Sequence, residues 1–244
     1  MSLFDFEQAT PMVQYYDGTQ DQYFLTNELL PYLKDVALFY TNYAISTTNG
    51  SNDSHVVEFP YTCAQETCNG GGGNGGKGEE YNSNSDIAYA TMAYRKLLEY
   101  TSNTKNKTVL KERELWTHAL KALPSIPKVI DVQGGNVTVF AEATTRGIKQ
   151  PVADVNSAYA ITHLAAIHPS GAIDSFSTTT SKEDLKVAQN TVDMINRVTS
   201  FAPGNGYCLN WPAAARVHEY TSDSHALLMN FSESYKSKVK LNGW

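Results

Sequence analysis

The chain has 244 residues, 41% apolar and 18% charged, with 15 Tyr, 9 Phe and 3 Trp. An intrinsically disordered chain is excluded, because it would lack the apolar side chains needed to offset the entropy of ordering, and the apolar runs fall far short of the ~20 residues a membrane helix needs. The net charge of −6 leaves no basic stripe to neutralise the phosphates of nucleic acid, and 3 Cys are too few for a disulfide-stapled scaffold.

In chain order, helical periodicity dominates. Leu29, Leu33, Val36, Ala37 and Tyr40 recur at three- and four-residue steps and predict a helix of about four turns. Ile87, Thr91, Tyr94 and Leu98 mark a second helix, with Asn84-Ser85-Asp86 offering capping oxygens at its start. Trp116, Ala119, Leu120 and Leu123 mark a third, stopped by Pro124. The best strand candidate is Val137–Phe140, after the Gly134-Gly135-Asn136 turn. A fourth helix is predicted around Val155–Ala166. Ser181, with Glu183 and Asp184 in the first turn, opens a fifth through Leu185, Ala188, Val192, Ile195 and Thr199. Two more are predicted near Tyr207–Tyr220 and Asp223–Lys236. The expectation is one all-α domain over residues 1–244, with about seven helices and long polar loops of the kind that usually carry function.

Few motifs carry chemistry. The tract Gly70-Gly-Gly-Gly73-Asn74-Gly-Gly76 reads as a flexible surface loop, since Lys77 is followed by Gly78-Glu79-Glu80 and acidic residues repel phosphate. His163 and His168 lie five residues apart, so on a continuous helix they would face different ways and not share a metal ion. They read either as hydrogen-bonded residues at a helix end or as polar groups at the mouth of a cleft. His168 precedes Pro169, which favours extended backbone there. Glu66 sits on a non-helical stretch beside Cys63 and Cys68, where partial desolvation would raise its pKa toward that of a general acid; the alternative is a carboxylate in water. Cys63 and Cys68 are close enough for a local disulfide, with Cys208 left over, and the spacing leaves the pairing open. No zinc-ligand spacing and no nucleophile elbow occurs. The aromatic residues, Trp211 among them, suit stacking on sugar rings and helix packing equally.

Five sequons for N-glycosylation are present, at Asn49, Asn52, Asn106, Asn136 and Asn230, and they act only if the chain enters a eukaryotic secretory pathway. The opening Met1-Ser2-Leu3-Phe4-Asp5-Phe6-Glu7 has no basic segment followed by an apolar one, as a signal peptide would. Two explanations fit: a cytosolic protein, or an internal piece of a longer secreted one.

The order of segments resembles the later part of the catalytic domain of six-hairpin glycosidases, specifically glycoside hydrolase family 95, the α-L-fucosidase type. The resemblance is carried by Phe24-Leu-Thr-Asn-Glu-Leu-Leu-Pro31 and the helix after it, then by the Glu66 loop and Asn84-Ser-Asp86-Ile-Ala-Tyr-Ala-Thr-Met. It continues through Leu115-Trp116 to Leu123-Pro124, Thr162-His163-Leu164 to Pro169-Ser-Gly171, and Asn205-Gly-Tyr-Cys-Leu-Asn-Trp211 to Arg216. Where the family has Ser-Pro-Glu-Asn this chain has Ala64-Gln65-Glu66-Thr67, and the family's Arg-His before its Ser-His-Leu segment falls on Tyr159 and Ala160.

The resemblance implies part of an (α/α)6 toroid within a longer secreted precursor, acting on a carbohydrate by inversion. Glu66 would be the general acid, His163 and His168 would line the sugar pocket, and Trp211 would pack beside it. No metal or organic cofactor is implied. The alternative is a carbohydrate-binding or structural helical domain without turnover.

Overall fold

The computed structural model describes residues 9–47, 56–60, 80–145, 163–175, 177–198, 213–214 and 216–217. The chain divides into two compact units, Met1–Pro127 with Ala143–Ile148, and Lys128–Glu142 with Lys149–Trp244.

In the first unit, α1 spans Ala9–Thr19. Asp21 then caps a short turn, its Oδ1 accepting from the N–H groups of Tyr23 (2.9 Å) and Phe24 (3.1 Å). A wide π-turn at Leu25–Leu29 follows, closed by the Leu30 N–H on the Leu25 carbonyl. It sits directly before Pro31, which has no N–H to continue an ordinary ladder. From there α2 runs Leu30–Tyr43 and buries Leu33, Val36, Ala37 and Tyr40, the stripe the periodicity predicts.

Next comes α3, Asn84–Tyr100, in which every residue from Asn84 to Tyr94 is buried. A helix buried on all sides lies at the centre of its unit, and α3 packs against both α2 and α4, Lys107–Ala122. Polar groups on α3 are satisfied by its neighbours. The Tyr94 hydroxyl reaches the Ala37 carbonyl (3.2 Å) and Thr41 Oγ1 (3.0 Å), and Arg113 Nη1 donates to Thr101 Oγ1 (2.8 Å) at the end of α3. Two antiparallel ladders complete the unit: β1 (Ile45–Thr47) pairs with β2 (Val56–Glu58), and β3 (Glu80–Tyr81) pairs with β6 (Thr144–Thr145).

The second unit holds a hairpin of β4 (Lys128–Asp131) and β5 (Val137–Phe140), with Lys128 opposite Phe140 and Asp131 opposite Val137. Gly135 and Asn136 take positive φ at its tip (+89° and +62°), and Asp131 Oδ1 accepts from the Gly134 N–H at 2.9 Å. These are residue types that tolerate the left-handed region. Helix α5, Lys182–Val198, packs on β5. Ser181 caps it reciprocally with Asp184, Oγ accepting from the Asp184 N–H (2.9 Å) and donating to Oδ2 (2.8 Å). Thr191 Oγ1 on α5 accepts the N–H of Phe140 at 2.9 Å, so the helix satisfies the outer edge of the strand.

The described residues are therefore mostly helical, with five helices where seven were expected, and with three two-stranded ladders where one strand was. The helix expected around Val155–Ala166 is replaced, over its described part, by a 3₁₀ turn at His163 followed by further turns. Ile167 and His168 both donate to the Leu164 carbonyl, and Pro169 then ends any ladder. Of the helix near Tyr207–Tyr220 only 213–214 and 216–217 are described, and they are helical. The helix near Asp223–Lys236, the Gly70–Gly76 tract, all three cysteines, Glu66 and Trp211 lie outside the described residues. Among the described residues no helix is long and apolar enough to cross a membrane.

Candidate functional site

Two polar clusters are buried, one in each unit. In the first unit, Asn82, Ser83, Asn84, Ser85 and Asp86 are consecutive and all buried. Asn82 takes φ 54° and pairs with Phe59 like a strand residue: its N–H donates to the Phe59 carbonyl (2.9 Å) and its Oδ1 accepts the Phe59 N–H (2.8 Å). Ser83, one residue before the expected capping run, is the N-cap of α3. Its Oγ accepts from the Asp86 N–H at 3.0 Å and donates to Asp86 Oδ2 at 2.7 Å.

Asp86 is the chemically distinctive member of this group. Burial pushes its carboxyl up to about 6, while the hydroxyls of Ser83 and Tyr40 pull the other way. Among the described residues no ion pair neutralises it, so desolvation wins over two hydrogen bonds. The charge it carries when ionised is felt nearby. Tyr40 is held well above the ordinary phenol value by burial and then by Asp86, and Tyr43 is pushed up to about 12 by the same two causes. Phe59 closes the cluster, with ring centroids 5.4 Å from Tyr40 and 5.9 Å from Tyr43. Such a carboxyl group holds or releases a proton near neutrality, which is what acid–base chemistry requires. Sequence reasoning saw Asp86 only as a capping residue. The available signal was the run Ile87–Ala93, which has no polar face and so announces burial on all sides.

In the second unit, His163 is 1% exposed. Its Nδ1–H donates to the Phe140 carbonyl at 2.7 Å, which fixes the tautomer, and its Nε2 stands 3.6 Å from Glu142 Oε1. Burial lowers the imidazole's pKa, against the Glu142 carboxylate and the Phe140 carbonyl. Pairing of His163 with Glu142 was not legible, because it depends on where β5 lies.

His168 differs. It is half-buried, precedes a cis peptide bond to Pro169, and is pushed down to about 4 by burial and then by the Arg216 guanidinium. It is therefore neutral near pH 7. The turn around it is tied by Ser170 Oγ on the Ala165 carbonyl (2.7 Å) and the Ile173 N–H on the Ala166 carbonyl (2.8 Å), and Arg216 is anchored through its own carbonyl to the Ser175 N–H (2.9 Å).

Gly171 permits this approach. It has φ +66°, and a Cβ there would lie 2.2 Å from Arg216 Nη1. In Gly171→Ala the left-handed backbone costs about 1–3 kcal/mol, and the flexible guanidinium swings away. Thermal unfolding is expected at lower temperature, and the His168 imidazole, relieved of the cation, titrates above about 4 in an NMR pH series. An unmoved His168 titration would show that burial alone sets it.

Among the described residues no group of three or more His, Cys, Asp or Glu side chains is placed to hold a metal ion. His163 and His168 thus have separate partners, while Glu66 and Trp211 fall outside the described residues. Compared with models of known protein families and with curated proteins, the chain matches none.

Proposed function

We propose that this chain is the later part of a six-hairpin glycoside hydrolase domain of the family 95 kind, its helices continuing an (α/α)6 toroid. It acts on an α-linked deoxysugar or related glycoside with inversion. Glu66 is the general acid that protonates the departing glycosidic oxygen, while water attacks the opposite face of the sugar. Inversion requires two catalytic carboxyl groups roughly 6.5–9.5 Å apart, in environments that separate their roles. His168, neutral and half-buried, donates to or accepts from a sugar hydroxyl. His163, its Nδ1 held by the Phe140 carbonyl, lines the sugar pocket, and Trp211 packs against the apolar C–H face of the ring.

The observation that carries this reading, beside the order of segments, is Asp86: a carboxyl group buried at the polar start of α3 and pushed up to about 6. It lies twenty residues after Glu66, past the Gly70–Gly76 tract and β3. In this reading Asp86 receives a sugar hydroxyl. The test is hydrolysis of a panel of alkyl α-glycosides, whose leaving groups need protonation, by the full-length protein and by its Glu66→Gln and Asp86→Asn variants, with sugar binding followed by calorimetry. Turnover by the wild type that Glu66→Gln abolishes while sugar binding persists supports the assignment. Unchanged turnover in Glu66→Gln removes Glu66 from the mechanism. Binding without turnover in the wild type replaces the enzyme by a binding module.

A further inference from the structure

We propose that Asn106 and Asn136 are N-glycosylation sites, and that their glycans cover exposed apolar side chains next to them. Each heads an Asn-x-Thr sequon, Asn106-Lys-Thr108 and Asn136-Val-Thr138, and each asparagine is exposed. Asn136 sits at the tip of the β4–β5 hairpin, its backbone N–H held on the Asp131 carbonyl at 3.0 Å. Asn106 is the N-cap of α4, with Oδ1 accepting the Thr108 N–H at 2.9 Å. N-glycosylation leaves that carbonyl oxygen untouched, so the cap survives the modification.

Among the described residues most large apolar side chains are inside; of the exposed ones, Ile130 (41%) and Val132 (72%) lie on the Asn136 hairpin and Leu110 (43%) one turn along α4 from Asn106, while Tyr15, Tyr23, Leu38, Ile45 and Leu115 are exposed elsewhere. A bulky, hydrated glycan at either asparagine would lie over the side chains beside it.

In the transfer, the asparagine Nδ2 attacks the anomeric carbon of a lipid-diphosphate-linked oligosaccharide. A C–N bond forms as the C–O bond to the diphosphate breaks, the lipid diphosphate leaves, and the amide gives one proton to the transferase. The inference does not depend on the glycosidase reading. It requires the chain to pass through a eukaryotic secretory lumen.

The experiment is peptide mapping of the full-length protein from its source and from a eukaryotic secretory culture, before and after an amidase that cleaves the glycan–asparagine bond. Asparagine is expected to become aspartate at 106 and 136, with a loss of mass. Because Asn136→Gln strains a residue at positive φ, the sequons are removed instead by Thr108→Ala and Thr138→Val. Each is expected to abolish one step of the mass loss while far-UV circular dichroism stays unchanged. Unmodified asparagine at both positions in the secreted protein, or a source protein confined to the cytosol, overturns the proposal. Modification at one position only overturns the assignment of the other.

Discussion

Replacing Asp86 by asparagine is expected to flatten the pH dependence of folding between about pH 4 and about pH 6. The fold prefers the protonated carboxyl, since its value is raised by burial to about 6 from the ordinary 3.8. Below the unfolded value both states carry the proton, and Asp86 adds no penalty. As the pH rises, the unfolded chain ionises first and the native state is drawn toward it, until above the folded value the whole penalty is present. That penalty is about 3 kcal/mol, as an order of magnitude for a buried group.

His168 acts in the opposite sense over an overlapping window. Its folded value is lowered to about 4, so its contribution is lost as the pH falls. The informative quantity is therefore the difference between wild type and Asp86→Asn, from denaturant midpoints at a series of pH values. That difference should swing toward the variant as the pH rises through the window. Curves that stay parallel would mean the carboxyl is solvated or paired. A constant offset reflects only the altered hydrogen bonds to Ser83 and Tyr40.

The second large effect is catalytic and rests on the glycosidase reading. General-acid assistance contributes about 10²- to 10⁴-fold, so Glu66→Gln is expected to lower kcat by that order on alkyl glycosides. With 4-nitrophenyl glycosides the loss should be much smaller, because that leaving group departs with little protonation. The pH–rate profile of the variant should lose its limb on the alkaline side, where the wild type loses the acid's proton. Equal losses on good and poor leaving groups would assign Glu66 to binding or folding instead.

Some of this architecture was readable in advance because the forces involved are local. The stripe Leu33, Val36, Ala37 and Tyr40 is buried as its spacing demands, and a one-sided periodicity can be satisfied only by a helix lying on a core. Val137–Phe140 forms a strand because the turn before it holds residues that accept positive φ. Ser181 caps α5 through Asp184, a contact three residues long. At α3 the cap is Ser83 rather than the three residues after it. Several adjacent polar side chains can each cap, and the backbone geometry picks one.

Residues distant along the chain account for what was missed. Glu80 and Tyr81 pair with Thr145 and Thr144, two short segments with no alternation long enough to announce a strand. His163 was read at the end of a helix, yet its imidazole is fixed by the carbonyl of Phe140, on another element. Asp86 carries the same lesson for the candidate site. Its identity and its place in the first turn of α3 were plain from the residues alone. Its proton affinity depends on Tyr40, Tyr43 and Phe59 arriving from elsewhere to exclude water. Helical periodicity and capping are written within a few neighbouring residues, whereas desolvation of a charge is a property of everything packed around it.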